Sequence, residues 1–285
     1  MIKFLYDKFD RTAPWSDPPA ARIRAGLMKK TVYYKDLLHD DFSSTNGKIE
    51  TDKITAKFPY EHSKAWVFFS GIVYYVIVFP LVFLIMKLKY GLRIRNRKAL
   101  RKLPSGAFIY GNHTNGFPDA VVPSLLSFPK RAFVVTGPEA VSIKGIRVLV
   151  EMLGAVPLPS SFPGWKKFMN SIKEKTEKHT VMIYPEAHIW PYYTGIRPFG
   201  ESSFKYPFQM NRKVVANVIT YRQRKIFKNA RPLVTATLSD PFDPADYASP
   251  KALRDAVFKF MCEVAAKDNY AYWTYLPENE EQAGS

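Results

Sequence analysis

Ala107-Phe108-Ile109-Tyr110-Gly111-Asn112-His113-Thr114-Asn115-Gly116-Phe117-Pro118-Asp119 reads as a strand, a turn and the start of a helix. The apolar run at 107–109, bounded by turn residues, predicts a short buried strand. Pro118 suits the first turn of a helix, where its missing N–H costs nothing. Asp119 next to it suits the positive end of the helix dipole. A histidine and an aspartate are thus placed on one strand-to-helix turn. A carboxylate that reaches an imidazole fixes its tautomer and stabilises the protonated ring, which makes a general base. The bland alternative is an aspartate that only starts a helix and a histidine that only packs.

Outward from this turn, strand and helix alternate to the C-terminus. Strands are expected at 107–111, 131–136, 180–184, 214–220 and 232–238, and helices at 119–126, 141–153, 165–178 and 203–212. Ser249-Pro250 supplies an N-cap and a proline at the first helical position for a last helix running to about 267. This alternation predicts an α/β fold with a largely parallel central sheet flanked by helices, over residues 103–285. The aromatic stretch at 270–275 is expected to pack back on that domain or to touch a membrane.

On the N-terminal side the composition changes abruptly. Residues 65–86 carry no charge. As a helix they span roughly 33 Å, close to the hydrocarbon thickness of about 30 Å, which predicts a membrane-embedded segment. Pro80 is expected to kink it, and Gly71 with Pro80 also allows a hairpin that dips in and returns. Trp66 suits an interfacial anchor. Lys87, Lys89, Arg93, Arg95, Arg97, Lys98, Arg101 and Lys102 follow at once. In a spanning segment they place the C-terminal side in the cytoplasm, against anionic headgroups. Residues 65–102 therefore form a membrane segment with a basic linker. Residues 1–64 form a mixed region, with a short basic helix expected at 20–30 and a loop at 40–48.

The net charge of +17 points to anionic partners: a phospholipid surface, a phosphorylated cofactor, an acidic carrier protein or nucleic acid. A basic soluble surface gives the same number. The single cysteine, Cys262, allows no intrachain disulfide. No Gly-x-Ser-x-Gly, Walker loop, Gly-x-Gly-x-x-Gly or metal-ligand cluster occurs, and the charge near Met1 comes too early for a signal peptide. Of five histidines, only His113 and His188 directly follow apolar strands. A base acting on a substrate hydroxyl, with no covalent intermediate, no cofactor and no metal, is the economical chemistry.

Asn112-His113 through Asp119, then Gly154-Ala155-Val156-Pro157-Leu158, then Tyr184-Pro185-Glu186-Ala187-His188 resemble the first three motif blocks of the glycerolipid acyltransferase family, of lysophosphatidic acid acyltransferase type. Residues 214–220 fall where that family has its fourth, apolar block. The resemblance covers about residues 104–238 and includes the basic-flanked apolar segment upstream. It implies acyl transfer from acyl-CoA or acyl carrier protein to the free hydroxyl of a lysophospholipid, at the cytoplasmic face of the cell membrane. It implies His113 as the base, Asp119 as its orienting acid, and Asn112 and Glu186 on the acceptor side.

Three departures stand out. The family places four residues between the histidine and the aspartate; here there are five, so a bulge is expected, at Gly116. The third block lacks the family's Gly-Thr-Arg-Ser, and with it the arginine for an acceptor phosphate. The second block lacks its arginine near Leu158-Pro159. Arg197, Lys205 or His188 could substitute, or the acceptor carries no terminal phosphate monoester. A reading from another class is a non-catalytic lipid-binding or membrane-organising protein on the same scaffold. Nucleic acid binding rests on charge alone, and no recognised binding motif accompanies it.

Overall fold

The computed structural model describes residues 30–43, 51–143, 145–228, 230–267 and 269–278. The chain runs through β1 (Thr31–Tyr34), the long helix α1 (Lys64–Leu88), β2 (Arg93–Arg95), α2 (Lys98–Arg101), β3 (Ala107–Gly111) and α3 (Gly116–Ser127). It continues through β4 (Ala132–Thr136), α4 (Glu139–Ser142), α5 (Arg147–Met152), β5 (Ala155–Pro157), α6 (Phe162–Lys178) and β6 (Thr180–Ile183). It ends with α7 (Lys205–Met210), β7 (Val214–Arg222), β8 (Leu233–Leu238), α8 (Pro250–Ala265) and β9 (Thr274–Pro277).

Seven strands form one sheet in the order β2-β8-β7-β3-β6-β4-β5. The five from β7 to β5 are parallel, and the β7–β8 pair is antiparallel. The α/β expectation therefore holds. Both faces are covered. Phe108, Tyr110, Val181, Ile183, Val214, Ala216 and Val218 pack under α6 and α8. Their neighbours Ala107, Ile109, Met182, Val215, Ile219 and Tyr221 pack under α1 and α3. This two-sided burial is why the strands read as continuous apolar runs rather than as alternating ones. The crossover connections put the loops after β3 and β6 side by side at the C-terminal edge of the sheet. The residue just before β3 has room only for glycine: a Cβ on Gly106 would lie 1.9 Å from the His179 carbonyl oxygen.

Several expectations need correction. The stretch expected as one helix at 141–153 is two short helices, α4 and α5, and the one expected at 203–212 begins with a 3-10 turn. α3 starts three residues before Asp119. In the stretch before the apolar run, Ile54, Phe58 and Tyr60 lie in the core with α6 and α8. Likewise β1 pairs in parallel with β9, so the aromatic tail packs back on the domain. The basic helix expected at 20–30 lies outside the described residues apart from Lys30, as does most of the 40–48 loop.

α1 is one continuous helix of 25 residues, so the chain does not turn back at Gly71 or Pro80. Pro80 cannot donate to the turn before it. A π-helical segment, Val73–Val78, immediately precedes it and re-phases the ladder. One stripe of α1 is bolted to the domain. Ser70, Tyr74, Val82 and Met86 are buried. The Tyr74 hydroxyl accepts from Ala132 N at 3.1 Å, and Arg131 Nη1 donates to Ser70 Oγ at 3.0 Å. The opposite face, with Phe68, Phe69, Val76, Ile77, Leu81, Leu84 and Leu88, is exposed.

Candidate functional site

β3 delivers the chain to a loop that is tied down residue by residue. The last backbone pair with β7 is Gly111 with Asn217. The Asn112 side chain then continues the ladder. Its Nδ2 donates to Ile219 O at 3.0 Å and its Oδ1 accepts from Ile219 N at 2.8 Å. Asn112 is therefore buried, with both polar atoms of its side chain on the backbone of β7. Thr114 is held by Tyr221, hydroxyl to hydroxyl at 2.8 Å, and its carbonyl accepts from Tyr192 N at 2.8 Å. His113 O accepts from Trp190 N at 3.1 Å. Asn115 is extended, at φ −162°, and α3 begins at Gly116. Residues 112–115 thus lie between the end of β3 and the start of α3. The bulge expected at Gly116 is absent, since Gly116 is the first residue of the helix.

This path brings His113 and Asp119 together. His113 Nδ1 lies 2.9 Å from Asp119 Oδ2, and the same oxygen accepts from Asn115 N at 2.8 Å. Asp119 is buried in the first turn of α3, while the His113 side chain keeps 17% exposure. An ionised carboxylate on Nδ1 requires the proton there, so in the neutral ring Nε2 carries the lone pair. The imidazole stacks on the Tyr184 ring, with centroids 4.5 Å apart and planes 15° from parallel. Tyr184 was not singled out from the sequence, although a signal for it exists. Pro123 sits inside α3 and cannot donate to the carbonyl four residues back, which is Asp119 O. The Tyr184 hydroxyl donates to that carbonyl at 2.5 Å. Burial, and then the neighbouring Asp119 carboxylate, push its phenol well above the ordinary value, so it stays a donor.

The loop after β6 is architectural by comparison. Glu186 is buried, and its Oε2 accepts from His113 N at 3.2 Å while Oε1 accepts from Arg197 N at 3.1 Å. Burial pushes its carboxyl up, opposed by Arg197 and these N–H donors. Arg197 Nη2 lies 3.5 Å from Glu186 Oε2 and donates to the carbonyls of Glu186 and His188, with the guanidinium over the Trp190 ring at 5.1 Å. Arg197 is 1% exposed. Glu186 thus ties two backbone segments together. Lys205 is exposed at the head of α7, outside this cluster. His188 remains partly exposed, with Nδ1 3.8 Å from Asp41 Oδ2. Burial alone would raise the Asp41 carboxyl, but hydrogen bonds from His188, Ser43 N and Ile189 N outweigh it and hold it at about 2. Of the three candidates for the missing arginine, only His188 is both near the loop and partly open. Among the described residues no group of three or more His, Cys, Asp or Glu side chains could hold a metal ion.

No family model matches the sequence, and no curated protein does. Among solved structures, the chain is similar to the crystal structure of the 1-acyl-sn-glycerophosphate (LPA) acyltransferase PlsC from Thermotoga maritima. The identity is 14%, covering 70% of this chain and 93% of that one, with a TM-score of 0.45.

Proposed function

We propose that the protein is a membrane-bound O-acyltransferase. It would move a fatty acyl group from a thioester of coenzyme A or acyl carrier protein to the free hydroxyl of a lysophospholipid or related glycerolipid. The observation that carries this reading is the 2.9 Å contact between His113 Nδ1 and the buried Asp119 carboxylate, on an imidazole that still reaches solvent. The motif order supports it.

In this mechanism His113 Nε2 takes the proton of the acceptor hydroxyl as its oxygen attacks the thioester carbonyl carbon. The ring becomes cationic, and Asp119 stabilises that charge. The tetrahedral intermediate collapses by breaking the C–S bond, and His113 returns the proton to the leaving thiolate. Asn112 and Tyr184 position the loop and the ring, and Glu186 locks the backbone N–H of the base. With Arg197 sealed and Lys205 outside the cluster, the site favours an acceptor without a terminal phosphate monoester, with His188 at its polar side.

The exposed face of α1 would lie in the hydrocarbon. One stripe of that helix is bound to the domain, so the whole helix cannot cross a bilayer surrounded by lipid, and in-plane embedding on the cytoplasmic face of the cell membrane fits better. His113→Ala should cost roughly 10²–10⁴-fold in turnover with the thermal unfolding midpoint unchanged. The assay is transfer from labelled acyl-CoA and acyl carrier protein to a panel of lysolipids. Activity within a few-fold of wild type sinks the assignment. No transfer to any acceptor by the wild-type protein points instead to a lipid-binding protein on this scaffold.

A further inference from the structure

The connection between β7 and β8 projects past the sheet at the same edge as His113. Its two large apolar residues, Ile226 and Phe227, are 74% and 78% exposed. Single exposed apolar side chains are common on proteins, but an adjacent pair at a loop tip is a patch, and among the described residues nothing covers it. Cations flank it in sequence: Arg222, Arg224 and Lys225 before, Lys228 and Arg231 after. No acidic residue falls between 213 and 239.

The place of this tip in the molecule matters as much as its composition. Arg224 Nη2 donates to Lys89 O, at the end of α1, and Val234 N donates to Tyr90 O at 2.9 Å. The tip therefore stands beside the C-terminal end of α1, where Leu88 is exposed. Tyr90 in turn stacks on Phe117, in the first turn of α3 two residues from Asp119. Below the tip the strand register adds charge. Arg93 pairs with Thr235 and Arg95 with Thr237 across β2–β8, and Thr220 pairs with Thr235 across β7–β8. Because side chains two apart share a face, Arg95, Thr237, Thr235, Thr220 and Arg222 lie on one face. With Lys267 they line a hollow of about 390 Å³ that contains no carboxylate. An apolar tip ringed by cations and backed by a cationic, hydroxyl-lined hollow is complementary to one surface above others: acyl chains under anionic headgroups.

We propose that the tip carrying Ile226 and Phe227 is a second membrane-inserting element, which seats the His113 edge of the sheet on an anionic phospholipid surface. This rests on the membrane reading of α1. The tip adds a second attachment point, near the opening to His113, and so fixes the tilt of the domain against the lipid. A lysolipid already in that leaflet then meets the base without crossing water.

The test places an environment-sensitive fluorophore at Ile226→Cys, in the full chain with Cys262→Ser, in vesicles of phosphatidylcholine and phosphatidylglycerol with brominated acyl chains. Leu84→Cys on the exposed face of α1 reports the first element, and Lys259→Cys on α8, which covers the opposite face of the sheet from α1, is the aqueous control. At least twofold quenching at positions 84 and 226, but not at 259, is expected. The 226 signal should weaken in pure phosphatidylcholine and in Lys225→Gln/Lys228→Gln. Quenching at 84 without quenching at 226 overturns the second element and leaves the membrane reading of α1 standing. Quenching at neither position removes both. All three labelled positions are exposed, so loss of fold is not an alternative explanation.

Discussion

The loops after β3 and β6 leave adjacent parallel strands, and both carry charged or titratable residues directly after an apolar run. They use them differently. The first leaves an imidazole open on one nitrogen and backs the other with a carboxylate. The second turns Glu186 and Arg197 inward, where they bind each other and the backbone of both loops. Charge buried against charge organises, while charge buried behind a partly exposed imidazole is, in the proposed mechanism, what activates it. The second loop is the mould in which the first is held, because Glu186 takes the N–H of His113 itself.

This contrast breaks first at Asp119. Asp119→Asn keeps the shape of the side chain but removes the charge that fixes the proton on Nδ1. Turnover should fall roughly 10²–10⁴-fold while KM for the acyl donor stays nearly constant. An unchanged turnover would reduce Asp119 to a residue that starts α3. In the second loop the equivalent deletion should strike stability instead. Arg197→Met leaves the Glu186 carboxylate buried without its guanidinium, a change worth roughly 3–5 kcal/mol. The pH dependence has a definite sign. A carboxyl raised in the folded state favours folding below its folded pKa and loses that contribution as pH rises through it. Burial already raises Glu186, and removing Arg197 takes away the largest force opposing that rise. The deficit relative to wild type should therefore be larger at pH 8 than at pH 5. Unfolding midpoints that shift equally at both pH values would contradict the charge-in-mould account.

The two loops also differ in how far the sequence reveals them. The parallel sheet was legible because helices cover both faces and make the strands uniformly apolar. His113 and Asp119 were legible because a turn of seven residues brings them within reach. The burial of Glu186 and Arg197 was not, since eleven positions separate them and their closure depends on Trp190, which packs on Tyr34, Phe42 and Tyr275 from both ends of the chain. No local pattern encodes such a contact. The length and apolarity of α1 were plain in the sequence. The stripe that binds it to the domain was not, because Ser70 and Tyr74 look like any residues of an apolar helix until Arg131 and Ala132 are placed against them.

Tyr184 links the two loops, and its removal should be milder. Tyr184→Phe keeps the ring against His113 but leaves Asp119 O without its donor, since Pro123 cannot supply one. An unsatisfied buried carbonyl costs about 1–3 kcal/mol. Stability should drop by that order, and turnover only a few-fold, as the start of α3 relaxes. If Pro123→Ala restores stability in the Tyr184→Phe background, by giving the carbonyl a helical N–H, the pairing of proline and tyrosine is established. If it does not, the hydroxyl acts elsewhere.

The smallest effect separates the loops by backbone rather than by charge. Ala187 follows Glu186 at φ +63°, in the left-handed region, and its side chain is exposed. A Cβ there meets the following carbonyl oxygen and costs roughly 1–2 kcal/mol. The first loop carries no comparable strain, as Asn115 is extended and Gly116 is already helical. Ala187→Gly should therefore stabilise the protein by about 1 kcal/mol, with part of the relief offset by the greater entropy of glycine in the unfolded chain. Turnover should be unchanged, because Ala187 touches neither His113 nor Asp119. A gain in stability with a loss of activity would mean that the strained turn holds Glu186 against His113 N. In that case the second loop would contribute to the base as well as to its support.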